Sequence, residues 1–398
     1  MKFAHLADCH LGSWRDPLLA ELSTRSFETA IDICIDEKVD FILIAGDLFN
    51  TSLPSIDCIK RATLKLKELK DSSVNCYMIA GSHDFSPSGK TMLDVLESAG
   101  LCINVAKGAA EDEKLNLRFT IDNKTGAKLT GLLGKKGSLE KGYYEALNRQ
   151  PLEAEQGYKI FLFHSLLSEL KPSSLENVDS QPLSLLPKNF SYYAGGHPHF
   201  VHSELYEGYG RIAYHGPLFP NSFKELEELK NGSFYIIEND SVKTIPVKLY
   251  DVESIQVDAN HKTPEEVRAI IQSAIEEKEL KNKIITLRIS GTLESGRPSD
   301  INFREFFENI KEKGAYTILK NTASFTSKEF EEIKIEITDT EKLEDNLIKE
   351  HIAKDDLDID AVKLTRSLLR SLDSAKQEGE TVLTFETRIK EEIGRLIR

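Results

Sequence analysis

The first 110 residues alternate short apolar runs with amphipathic stretches: "KFAHLAD", residues 25–38, "DFILIAGD", residues 56–70, "NCYMIAG" and residues 91–99. Apolar runs too short for a helix, each followed by helical periodicity, bury both faces when they lie side by side as parallel strands covered by helices. That alternation constrains the fold more than any other feature. The segments "RFTIDN", "AKLTGLLG", "KIFLFHS", "FSYYAGGH", "RIAYHG", "GSFYIIE" and "VKTIPVKLY" continue the β-rich pattern. Together they predict an α/β sandwich spanning residues 1–251, flanked by helices.

A second unit, 252–337, opens at "VESIQVD". Its helix starts with Thr263 as N-cap, Pro264 at the first helical position and Glu266 closing a capping box. "KIITLRIS", a helix around "INFREFFENIKEK" and "AYTILK" complete a small α/β cap. From 338 to 398 the pattern is helical only, with Leu343, Leu347 and His351, then Ala361, Leu364, Leu368 and Leu372, then Phe385, Ile389, Ile393 and Leu396 at helical spacing. These helices either pack back onto the body or offer their apolar stripe to a partner helix or coiled coil.

A length of 398 residues and 40% hydrophobic content accommodate two or three domains. The net charge of −14 argues against a simple basic nucleic-acid coat protein. Metal ions, however, supply positive charge locally to a phosphate substrate. The five cysteines form no CxxC pair and suit buried thiols in a reducing compartment. No run approaches the ~20 apolar residues of a membrane span, and the expectation is a cytoplasmic, nucleoid-associated protein with no membrane partner.

Five strand ends finish in metal-ligand residue types: "LADCHLG" (Asp8, His10), "IAGDLFN" (Asp47), "IAGSHD" (Ser82, His83, Asp84), "LFHS" (His164) and "AGGHPHF" (His197, His199). In parallel α/β sheets ligands gather at the carboxyl ends of strands, so residues nearly two hundred positions apart can converge. A lone histidine is more often a core or surface residue; the joint pattern after five apolar strands reverses that reading. Mixed imidazoles and carboxylates suit Mn²⁺, Fe or Zn²⁺, with Asp47 placed to bridge two ions. Such a pair, roughly 3.5–4 Å apart, stabilises both the attacking and the leaving oxygens of a phosphodiester. The reaction class is phosphoester hydrolysis.

This order of motifs resembles the calcineurin-like metallophosphoesterases. "MKFAHLADCHLG", "AGDLFNTSLPS" and "YYAGGHPH" are similar to the archaeal double-strand-break repair nucleases of the meiotic recombination eleven type, with SbcD as bacterial relative. For the cap and tail the likeness rests on order and length alone. The resemblance implies a first metal on Asp8, His10, Asp47 and His199, and a second on Asp47, position 82, His164 and His197. It makes His83 the catalytic histidine acting on the leaving oxygen, with Asp84 orienting its ring. It further implies two Mn²⁺ ions per subunit, DNA as substrate for double-strand exonuclease and single-strand endonuclease action, and a homodimer formed through helices of the first domain. An SMC-like zinc-hook coiled-coil ATPase would bind the C-terminal helices.

Two positions depart from that pattern. Ser82 replaces an asparagine whose carbonyl is a ligand, and its shorter, weaker oxygen predicts a loosely held second metal. Asn50 replaces a histidine that, by the resemblance, lies near the phosphate and supports exonuclease action in particular; asparagine donates a hydrogen bond but carries no proton at neutral pH, so the resemblance implies selectively weakened exonuclease action. These departures support an alternative, a catalytically weakened scaffold subunit; the core motifs alone also admit a phosphodiesterase for small nucleotides. "SGKT" lacks the glycine that a phosphate loop needs, so Lys90 and Thr91 are read as a helix start with Ser86 or Ser88 as cap. "RIAYHGPLFP" places His215 at the substrate or in a structural turn, beside His202; His5 is read as structural. Lys281, Lys283, Arg288 and Arg297 are the cap's cations available to a DNA backbone, although a solvated charged face is the commoner use of such residues.

Overall fold

The computed structural model describes residues 1–86, 89–135, 137, 139–328, 361–374, 376, 380 and 382–396. It divides into two compact units, Met1–Thr326 and Ser327–Arg398. In the first unit the chain runs β1 (Lys2–Leu6), α1 (Pro17–Asp36), β2 (Phe41–Ala45), α2 (Ile56–Asp71), β3 (Asn75–Ile79), α3 (Met92–Ser98) and β4 (Ile103–Asn104). Next come β5 (Gly108–Glu111), β6 (Lys114–Leu117), β7 (Thr120–Ile121), β8 (Lys128–Leu132), α4 (Lys141–Glu145), α5 (Arg149–Ala154), β9 (Lys159–His164) and β10 (Tyr192–Gly196). The body closes with β11 (Val201–Tyr206), β12 (Gly210–His215), α6 (Phe223–Leu229), β13 (Gly232–Glu238) and β14 (Ser241–Val247).

Two six-stranded sheets result, in the orders β14-β13-β1-β2-β3-β4 and β11-β12-β10-β9-β8-β7. Strands β1 to β4 are parallel, as are β8, β9, β10 and β12, with antiparallel strands at the edges. Phe3, Phe41, Leu43 and Tyr77 of one sheet pack against Leu129, Ile160, Leu162 and Tyr192 of the other. The far side of the first sheet packs on Phe27, Ile31, Leu66 and Leu69 of α1 and α2. This is why "FILIA" of β2 reads as an unbroken apolar run: all five residues are buried, and burying each larger side chain contributes about 1.5–3 kcal/mol.

Helix α1 begins eight residues before the expected Arg25. Asp16 accepts from the N–H groups of Leu18 and Leu19 at 2.9 and 3.0 Å, and Pro17 occupies the first turn, a start signal that the later periodicity overshadowed. The helix after "SGKT" is capped by Thr91, whose N–H donates to Asp94 at 2.6 Å, rather than by Ser86; Ser88 lies outside the described residues.

The cap comprises β15 (Asp251–Asp258), α7 (Pro264–Glu277), β16 (Lys283–Leu293), α8 (Phe303–Glu312) and β17 (Thr317–Ser327), with sheet order β15-β16-β17. The Thr263/Glu266 capping box is present. Val267, Ile271 and Ile275 of α7 pack with Leu287, Ile289, Phe306 and Ile310 in a separate core.

In the second unit the described helices are α9 (Ala361–Leu372) and α10 (Val382–Leu396). Leu369, Leu372 and Leu383 are exposed. The expected helix carrying Leu343, Leu347 and His351 lies outside the described residues. Among the described residues no helix is long and apolar enough to cross a membrane.

Candidate metal centre

The loops after β1 and β2 are zipped together beyond the strands: the N–H groups of Asp8, His10 and Leu11 donate to the carbonyls of Gly46, Asp47 and Leu48 at 3.0–3.1 Å. Asp8, His10, Asp47 and His197 have φ of 48°, 43°, 53° and 96°. Left-handed backbone at non-glycine residues costs about 1–3 kcal/mol each and persists where the surroundings enforce it. Here it turns side chains from the strand ends into one site. The strands also approach so closely that a Cβ on Gly46 would lie 2.3 Å from His164 Nδ1, and one on Gly81 2.2 Å from Asp47 Oδ1.

Three overlapping groups of metal-ligand atoms result: Asp8, His10 and His199; His10, Asp47 and His83; and Asp8, Asp47 and His164. His10 Nε2 and His199 Nε2 are 3.1 Å apart, and His164 Nε2 lies 3.1 Å from Asp47 Oδ2. His10 Nδ1 is buried without a hydrogen bond. Imidazole nitrogens that face one another and carboxylates, in a buried cluster, are the donor set a divalent cation fits. Asp47 stands in two of the groups. Ser82 Oγ reaches Asp47 Oδ2 at 3.4 Å. His197 sits outside the three groups; its ring packs 5.3 Å from that of His164, and its N–H donates to both oxygens of Asp8 at 3.0 Å.

The electrostatics express the same convergence. Burial pushes His10 down to about 3 and His197 to about 4. Burial also opposes protonation of His164, but Asp47 and Asp8 outweigh it and lift that ring to about 10. Asp47, despite its burial, is held well below the ordinary carboxylate range by His164, His10 and His83. Burial raises Asp8, with His199 and His164 opposing.

Asp84 does not orient His83. Its carboxylate is 2% exposed and accepts from the N–H groups of Leu48, Phe49 and Gly81 at 3.2, 3.0 and 3.1 Å, tying two ligand loops together. Burial and the nearby Asp47 push it up to about 7 against those three donors. His83 is instead held at Nδ1, 2.7 Å from the carbonyl of Asn50, and its N–H donates to Asp47 Oδ1 at 2.7 Å. Asn50 thus reaches the site through its backbone, a contact residue identity does not signal. His215 does not face the site: it is 1% exposed, its ring 4.8 Å edge-on to His5 of the opposite sheet and its Nδ1 2.9 Å from Ser233 O. His202 Nε2 lies 3.1 Å from the Tyr206 hydroxyl. In the cap, Arg288 and Lys283 are paired with Glu227 and Glu253.

A cavity of about 440 Å³ opens over the cluster. His10, Asp47, Ser82, His83, His197 and His199 line it, together with the apolar Leu166, Leu175 and Phe200. A residue absent from the sequence reading, Glu225 of α6, also lines it and lies 3.1 Å from His199 Nδ1. Its cue was slight: a glutamate three residues after a capping serine.

The chain is similar to proteins described as DNA double-strand break repair protein Mre11. It is 28% identical to that of Archaeoglobus fulgidus over 64% of this chain and 61% of the relative. With that of Methanopyrus kandleri it shares 28% identity over 64% of this chain and 57% of the relative. The protein of Methanocaldococcus jannaschii matches at 27% over 88% of both chains. The first two matches therefore span about three-fifths of those relatives' length. The family description of calcineurin-like phosphoesterases, whose members use a dinuclear metal centre, matches residues 1–200. Because that match covers half of the chain and takes in Asp8, His10, Asp47, His83, His164 and His199 of the cluster, the chain belongs to the calcineurin-like phosphoesterase family.

Proposed function

We propose that the protein is a metal-dependent DNA nuclease of double-strand-break repair. The observation that carries this reading is the convergence of Asp8, His10, Asp47, His164 and His199 beneath an open cavity; the repair relatives supply the substrate class. Asp8, His10, Asp47 and His199 would hold one ion, and Asp47, His164, His197 and the Ser82 oxygen a second. Mn²⁺ fits this donor set, the Ser82 site being the weaker. When bound, the pair neutralises phosphate charge and activates water.

The chain's own residues have separable tasks. Asp47 offers Oδ2 to the cluster while Oδ1 secures the His83 amide. With Nδ1 of His83 on the Asn50 carbonyl, Nε2 is the ring's proton-exchanging atom and serves the leaving oxygen. Residues 1–251 form the nuclease domain, 252–337 the cap that positions DNA and 338–398 the helical tail. The tail engages an SMC-like coiled-coil ATPase; the nuclease domains pair as a homodimer; the assembly works in the cytoplasm on nucleoid DNA. Both single-strand endonuclease and double-strand exonuclease action belong to this reading, the latter weakened by Asn50.

The test is cleavage of end-labelled duplex and single-stranded DNA with Mn²⁺ by the parent, Asp8→Ala and His83→Ala proteins. Activity lost in both variants supports the proposal. An inactive parent, even with its ATPase added, overturns it in favour of a scaffold. Removal of residues 338–398 should abolish ATPase co-purification while metal binding persists; undiminished co-purification refutes the role of the tail.

A further inference from the structure

Helix α6 spans only seven residues, yet it holds a candidate metal ligand on one side and the cap on the other. Toward the site, Glu225 is fixed at three points. Its N–H donates to Ser222 Oγ at 3.2 Å, its Oε2 accepts from the Asn221 N–H at 2.7 Å, and its Oε1 lies 3.1 Å from His199 Nδ1. A carboxylate on Nδ1 fixes the tautomer that leaves Nε2 free as a ligand atom. Nε2 of His199 is the nitrogen that faces His10 and Asp8.

Toward the cap, Arg288 of β16 donates from Nε and Nη2 to Glu227 Oε2 at 2.9 and 2.6 Å, and its guanidinium lies 5.0 Å from the centre of the Phe223 ring. Lys230, just past the helix, donates to Ser254 of β15 at 2.7 Å. Between these contacts Leu226 is fully buried with Leu19, Leu22 and Ile284, the last from the cap. Glu227 is 7% exposed on its side chain, so removing its partner leaves a buried charge uncompensated and forces α6 to adjust.

We propose that α6 is a two-ended brace in which Glu225 positions His199 and the Glu227–Arg288 contact sets where Glu225 stands, so that the seating of the cap adjusts the metal centre. The proposal rests on His199 being a metal ligand. It assigns Arg288, a cap cation otherwise available to DNA, to the metal site's geometry.

The experiment is Mn²⁺ titration calorimetry on the full chain, with circular dichroism of each metal-free variant to verify folding. His199→Ala tests the underlying assignment: unchanged affinity removes the ligand role itself. Given loss there, Glu225→Ala should weaken Mn²⁺ binding about 10–100-fold, as loss of a ligand's supporting hydrogen bond does. Glu225→Gln, which retains an acceptor oxygen, should recover part of that loss. Arg288→Met should weaken binding about tenfold, and the Glu225→Ala/Arg288→Met pair should bind no worse than Glu225→Ala alone. Parent-like affinity in Arg288→Met, or losses that multiply in the pair, overturn the brace; parent-like affinity in Glu225→Ala overturns the positioning role.

Discussion

Replacing Asp84 with alanine should destabilise the metal-free protein while leaving His83 in place. The carboxylate is the acceptor for three buried backbone N–H groups, those of Leu48, Phe49 and Gly81. A buried donor deprived of its partner costs about 1–3 kcal/mol, so three orphaned together set a loss of at least about 3 kcal/mol. Relief of the penalty on a carboxyl raised from 3.8 to about 7 offsets part of this, by an amount that grows from about pH 4 to about pH 7 and is constant above, so the measurement belongs near pH 4.5, where the offset is small. Asp84→Asn keeps one acceptor oxygen and should lose less than alanine. Urea unfolding with an unchanged m-value reads the difference directly. If the side chain merely oriented His83, cleavage would fall with stability intact; an alanine variant within about 1 kcal/mol of the parent would refute the brace between the two loops.

Three further outcomes follow from the same geometry. Gly81→Ala places a methyl group 2.2 Å from Asp47 Oδ1 and 2.3 Å from its backbone nitrogen, and should reduce Mn²⁺ affinity by about tenfold or more in calorimetry; Gly142→Ala, where a Cβ meets nothing within 4 Å, should not. Ser82→Asn should raise the occupancy of the weaker metal site, read as metal-to-protein ratio by elemental analysis at limiting Mn²⁺; an unchanged ratio would count against Ser82 as the cause of weak binding. His164 is raised from 6.5 to about 10, so its contribution to metal-free stability is complete below pH 6.5 and lost as pH rises through about 10. The urea midpoint of the metal-free protein should fall across that window, and His164→Gln should remove most of the fall; parallel curves would contradict the assignment.

The convergence of candidate ligand side chains was legible in the sequence and the groups that hold them were not, for a physical reason. A ligand must be an imidazole or a carboxylate, and a strand end repeated after several apolar runs makes that chemistry visible. A support needs only an acceptor or an amide in the right place. Asp84 follows His83 directly, yet adjacent side chains leave this loop on opposite sides, one into the cavity and the other among the backbone amides of the neighbouring loop. Asn50 contributes a carbonyl that any residue possesses. His215 ends its strand as the ligands do, but β12 directs it between the sheets toward His5. Helix α6, with Phe223, Leu226 and Leu229 as its apolar positions, is too short for periodicity to register. The left-handed backbone at Asp8, His10, Asp47 and His197 completes the account: those conformations oppose folding and are held by the bonds from the Asp8 and His10 amides to Gly46 and Asp47, by the Asp8 carboxylate on the His197 N–H, and by the Asp84 and glycine contacts beside Asp47. Such a cluster is therefore sensitive also at Asp84, Gly46 and Gly81, which contribute no donor atom to it but hold the strained loops that present the donors.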